Sequence, residues 1–113
     1  MPRHHSDNRT DVRKQVRAFL PGLTGKRAST RITAIRNIGF LGVGAAYVAD
    51  KLLPFVEDSD EDIRSAAMHA LSSIGVGSPS VSKSVRGLIN KDDPDHDPYT
   101  NCRAYWILEH IEV

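Results

Sequence analysis

The sequence predicts an all-α solenoid of three stacked helical hairpins, and three observations support this. The first is an internal repeat. Displaced by 33 residues, the chain matches itself without a gap: Phe19-Leu20-Pro21-Gly22-Leu23 falls on Leu52-Leu53-Pro54-Phe55-Val56, and Gly42-Val43-Gly44 on Gly75-Val76-Gly77. Such a period marks arrays whose units bury their apolar faces only by stacking, with about three as the minimum for stability. The second is apolar spacing. Val48, Leu52, Phe55 and Val56 form one helical stripe, and Ile63, Ala67, Ala70, Leu71 and Ile74 form another. The third is boundary chemistry. Ser78-Pro79 and Asp97-Pro98 each place a capping side chain before a proline at the first helical position.

Taken in order, the pattern predicts helices near 10–22, 28–41, 45–57, 61–74, 79–90 and 98–112. They form units at 8–42, 43–75 and 76–113, with residues 1–7 as a flexible lead. The first helix carries a Val12, Val16, Phe19, Leu20 stripe and keeps Arg13, Lys14 and Arg17 off it. Arg31, Ala34, Ile35 and Ile38 of the second helix recur as Arg64, Ala67, Met68 and Leu71 of the fourth. Gly42 and Gly75 supply permissive backbone at helix ends, and Ser59-x-x-Asp62 is a capping signal for the fourth helix. The third copy needs four extra residues, absorbed in Asp92–Asp97; Asn101, Ala104, Tyr105, Leu108 and Ile111 then resume the register. Small residues at Ala34, Ala67, Ala70 and Ala104 allow close approach of neighbouring helices.

Composition sets limits on function. One domain is all that 113 residues allow, and 40% hydrophobic with 26% charged residues suits a folded, soluble chain. No run reaches the ~18 apolar residues of a membrane span, and residues 1–20 lack a signal-peptide pattern. A single cysteine, Cys102, forms no internal disulfide, which fits a reducing, cytoplasmic setting. The net charge of +1 hides an asymmetry: residues 1–36 hold nine basic and two acidic side chains, the remainder six basic and twelve acidic. Asp58-x-Asp60-x-Asp62 and Asp93-x-Asp95-x-Asp97 start like calcium loops but lack the glycine at the sixth position and the glutamate at the twelfth, so capping explains them better. His4-His5 binds metal only adventitiously. Neither the serines nor Cys102 have a base at catalytic spacing, and no glycine loop follows a strand. No enzyme activity, metal or cofactor is implied.

The run Leu52–Arg64, followed by Ala67, Ala70-Leu71 and Ile74-Gly75, resembles the HEAT repeat, most closely its short phycobilisome-lyase-like variety. The resemblance spans essentially the whole chain, with the middle unit the fullest match. It implies a right-handed solenoid whose second helices line a concave face, and a scaffold or binding role. It also implies a ladder between repeats, carried here by Asp58 and Arg64. The first unit keeps Arg31 but has Gly25 in place of the aspartate, and the third has Lys91 and Asn101.

Helical geometry then selects the candidate face. With residues 63, 67, 70, 71 and 74 buried, Ser65, His69 and Ser72 point away from the core, with Ser73 on the flank. The equivalent positions are Ile32, Arg36, Gly39 and Phe40 in the first unit, and Cys102, Trp106, Glu109 and His110 in the third. Arg36, Phe40, His69, Ser73, Trp106 and His110 are therefore the predicted contacts for a protein or peptide, arginine and tryptophan being typical interface anchors. Trp106 has an alternative role in closing the open end of the core. An inhibitor or immunity-type protein is a narrower version, with the acidic turns at 57–62 and 92–97 covering a basic site. The alternative function is nucleic-acid binding, with Arg13, Lys14, Arg17, Lys26 and Arg27 meeting phosphates. An accessory factor of a lyase-type enzyme ranks below both. Tyr105, Trp106, Ile107, Leu108 and Ile111 also predict an apolar end through which a weak homodimer would form; otherwise the chain is a monomer.

Overall fold

In a computed structural model of the chain, residues 8–90 and 92–112 are described, and among them every regular element is helical. The predicted flexible lead and His4-His5 lie outside the described residues. Helix α1 (Asn8–Phe19) continues as a 3-10 segment, Leu20–Thr24, and is followed by α2 (Ala28–Phe40). Element α3 combines a 3-10 segment (Gly42–Val48), one α turn (Ala49–Leu52) and another 3-10 segment (Leu53–Glu57). Helices α4 (Glu61–Ile74), α5 (Pro79–Arg86) and α6 (Pro98–Ile111) complete the chain.

The prolines explain why α1 and α3 tighten at equivalent points. Pro21 and Pro54 lack the amide that an α ladder needs, and each sits at the start of a 3-10 segment. The turns that follow repeat almost identically: Gly25 adopts φ −62°, ψ 149° and Asp58 φ −63°, ψ 148°. Helix α5 stops four residues short of its predicted end, at Gly87, whose amide donates to the carbonyls of Lys83 and Ser84.

Stacking follows the repeat. Helix α2 packs on α4 and α4 on α6, forming an inner layer, while α1, α3 and α5 lie against them as an outer layer. The core runs continuously between the layers, from Val16 through Ile35, Ile38, Leu52, Ile63 and Leu71 to Ile111, all essentially inaccessible to water. The α2–α4 crossing is the closest. A Cβ built on Gly39 would lie 3.0 Å from both Cα and Cβ of Ala70, so Gly39 is buried in this contact and not presented on the predicted face.

Three local expectations change. The cap of α4 is Asp60 rather than Ser59: its carboxylate accepts from the amides of Asp62 (2.8 Å) and Ile63 (3.3 Å). Positive φ occurs at Gly42 (69°) and Gly77 (70°), not at Gly75. Gly75 is required for space, since a Cβ there would meet Val81 Cγ1 at 2.7 Å and the Leu71 carbonyl at 2.8 Å.

The third concerns the ladder. Arg64 does not reach the Asp58 carboxylate; its Nη1 donates to the main-chain carbonyls of Asp58 (2.9 Å) and Ser59 (3.0 Å). Arg31 donates in the same way to Gly25 (2.7 Å) and Lys26 (3.2 Å). The acceptor is backbone, so glycine serves in the first unit as well as aspartate does in the second. In the third unit Asn101 instead pairs with the His96 ring at 2.7 Å.

Candidate protein-binding face

Each inner helix contributes two of the predicted contact residues, at equivalent positions of the repeat. Arg36 and Phe40 stand on α2, His69 and Ser73 on α4, and Trp106 and His110 on α6. All but Trp106 are exposed, and Phe40, 83% accessible, is the most exposed large apolar side chain among the described residues. Between α2 and α4 a small hollow is lined by Arg36, Phe40, His69 and Ser73, with Ala66 and Ala70 beneath. A second hollow between α4 and α6 is lined by Glu61, Arg64, Met68, His69, Arg103 and Trp106. His69 belongs to both hollows, so they form one continuous track across the inner layer.

Trp106 closes part of the core and still leaves a surface open. Its indole is half-buried and packed against the core, while its other surface faces the two imidazoles. The His69 ring meets it edge-on, with centroids 5.2 Å apart and planes at 82°; the His110 ring lies at 4.0 Å and 33°. His110 is held there through Nδ1, 2.7 Å from the Trp106 carbonyl. A carbonyl only accepts, so Nδ1 carries the proton in this arrangement. The result is a pre-ordered aromatic cluster that costs little further side-chain entropy when it is covered.

Sequence reasoning missed Arg103. It occupies the register position of Ala66, which the repeat assigns to the interface between units. Its Nη1 lies 3.4 Å from Thr100 Oγ1 and 3.6 Å from Asp97 Oδ2. Thr100 is fully buried and donates to Glu57 Oε2 at 3.4 Å, linking the second unit to the third. The signal was available as a charged residue at a position occupied by Thr33 and Ala66 in the other two units.

Arg13, Lys14 and Arg17 are exposed on α1, and Lys26 and Arg27 are exposed in the turn after it. The segment Leu20–Thr24 lies between the two groups along the chain. The Arg13 guanidinium carbon sits 4.3 Å from the centre of the Tyr47 ring, a cation–π contact between α1 and α3. At the C-terminal end, Ile107, Leu108 and Ile111 are buried within the chain, leaving Tyr105 (44% accessible) among Arg86, Glu109 and Glu112. Arg86 bridges both oxygens of Glu112 at 2.6 Å. The apolar end expected to pair with a second copy is thus mostly satisfied internally. Among the described residues, no three His, Cys, Asp or Glu side chains converge as a metal site requires, and no helix is long and apolar enough to cross a membrane.

Comparison with known proteins bears on the repeat. No curated protein and no solved structure matches the chain. The family model for HEAT repeats matches residues 16–97, from the C-terminal part of α1 to the turn before α6. With most of its length matched, its inner helices stacked on one another and the turns at Gly25 and Asp58 alike in backbone angles, this chain belongs to the HEAT repeat family.

Proposed function

We propose that this chain is a non-catalytic scaffold that holds a segment of another protein across its inner-helix face. HEAT repeats commonly serve as protein-interaction scaffolds. The observation that carries the reading is the exposure of Phe40 beside Arg36, on the same track as the pre-ordered His69–Trp106–His110 cluster. An exposed phenylalanine contributes nothing to core burial, and a track ending in an aromatic cluster is the kind of surface that partners anchor on. An inhibitor or immunity-type protein is a special case of the same reading.

A photo-crosslinking residue at Ser73, on the track, and another at Lys83, on the outer helix α5, test it in lysate of the source cells. A protein captured from position 73 but not from 83, and lost with Phe40→Ala, is the expected result; a real anchor contributes about 2 kcal/mol. Equal capture from both positions, or capture indifferent to Phe40, refutes the reading.

A further inference from the structure

Resting on the binding-face reading above, we infer that the segment this face takes is short, extended and acidic, with one apolar side chain as its anchor. The charge on the track carries the argument. Arg36 lines the hollow between α2 and α4, and Arg64 and Arg103 line the one between α4 and α6. Three guanidiniums face two carboxylates, Glu61 on the lining and Asp97 beside Arg103, which leaves the track cationic although residues 37–113 as a whole carry twice as many acids as bases.

The acids that crowd the neighbouring turns keep their charge, and Asp97 lies 3.6 Å from Arg103, but several direct their oxygens to backbone amides. Asp58 accepts from the Asp60 amide, Asp60 from those of Asp62 and Ile63, Asp93 from that of Asp95, and Asp97 from that of Tyr99. Glu109 faces the C-terminal end with Tyr105 and Arg86. Arg36 is exposed and makes no hydrogen bond or ion pair with another described residue. Arg64 and Arg103 each spend Nη1 on the chain itself, and a guanidinium carries five donors. Donors are therefore left over at two places along the track, a geometry suited to carboxylates, which arginine binds with a fork of parallel hydrogen bonds.

Dimensions and apolar features set the rest. Helices pack at roughly 8–10 Å, so crossing from α2 to α6 covers about 16–20 Å, which five or six extended residues span at ~3.3 Å each. Phe40 on α2 and Trp106 on α6 offer apolar surface at the two ends of that path, with His69 between them. An aliphatic or aromatic side chain covering either ring, flanked by Asp or Glu reaching the arginines, satisfies the whole track.

Panning a random octapeptide library on phage against the full chain tests this directly. Selected peptides are then synthesised and titrated by the emission of Trp106, the only tryptophan in the chain. The expected pool is rich in Asp and Glu around one apolar residue. Its affinity falls about tenfold or more with Arg36→Glu, the loss of a charge-assisted hydrogen bond, and is unchanged by Lys83→Glu on the outer layer. Circular dichroism of each variant confirms that the fold is kept. A pool that is neutral or basic, or acidic yet indifferent to Arg36→Glu, overturns the inference. If such a pool still depends on Phe40, the binding-face reading survives. No selection at all, or binding indifferent to both residues, overturns the two together.

Discussion

The first and second inner helices share a register but not a fate. On α4, the face turned toward α2 carries Ile63, Ala66 and Ala70, all buried. The same three positions on α2 are Thr30, Thr33 and Asn37, which line an open groove with Ser29 at the free end of the first unit. One face meets a neighbouring repeat and the other meets water. The exchange of Ile-Ala-Ala for Thr-Thr-Asn is what a terminal repeat needs in order to end the stack without exposing core. The other end uses different means. There Ile107, Leu108 and Ile111 are drawn into the chain's own core, and the Arg86–Glu112 pair lies across the surface.

The largest effect expected from this comparison comes from truncating equivalent positions. Ile63→Ala removes a fully buried side chain at the junction of two repeats and should cost about 2–5 kcal/mol. Thr30→Ala, at the same register one repeat earlier but exposed, should stay within about 0.5 kcal/mol. Urea denaturation of the pair measures the difference. Similar losses at both sites would mean that the free end of the first unit is covered in solution.

A second contrast lies where α2 and α4 touch. Gly39 and Ser72 are equivalent, yet Gly39 has another helix 3.0 Å from where its Cβ would stand, whereas Ser72 carries a hydroxyl that donates to the His69 carbonyl at 2.8 Å. Gly39→Val should force the two helices apart at a cost of about 1–3 kcal/mol. Ser72→Val, at a half-buried site, should cost well under that. Thermal melts of both variants sharpen or break the claim that Gly39 is retained for space. Preserved stability in Gly39→Val would show that the α2–α4 contact can slide.

These contrasts also show how far the sequence could be read. The repeat, the six helices and the core were legible because periodic burial is written in residue type: Leu52, Ile63, Leu71 and Ile74 are buried where the pattern puts them. The candidate track was legible too, since a helical wheel with one known buried side fixes the opposite one, and Arg36, His69 and Trp106 do share a side. The wheel failed at Gly39 and Arg103. It locates a residue around its own axis but says nothing of how near the next helix lies, and that nearness turns the flank of α2 into interior. The capping residue at Asp60 and the positive φ at Gly77 escaped for a related reason. Each depends on the path of the turn, where several adjacent residues have the right chemistry.

The smallest effect, and the sharpest distinction, concerns the paired arginines. If Arg31 and Arg64 act as clamps on turn carbonyls, the two units should respond alike despite Gly25 in one and Asp58 in the other. Arg31→Ala and Arg64→Ala should each cost about 1 kcal/mol, the net worth of a partly exposed hydrogen-bonded group. Asp58→Asn should cost a few tenths of a kcal/mol, since its side chain only accepts the Asp60 amide at 2.8 Å and an asparagine oxygen accepts it as well. An ion pair between Asp58 and Arg64 would give the opposite ranking, with Asp58→Asn as costly as Arg64→Ala and both losses shrinking in high salt. Denaturation of the three variants at low and high ionic strength decides between them. The carbonyl clamp predicts a loss that salt barely changes, because main-chain acceptors carry no net charge to screen.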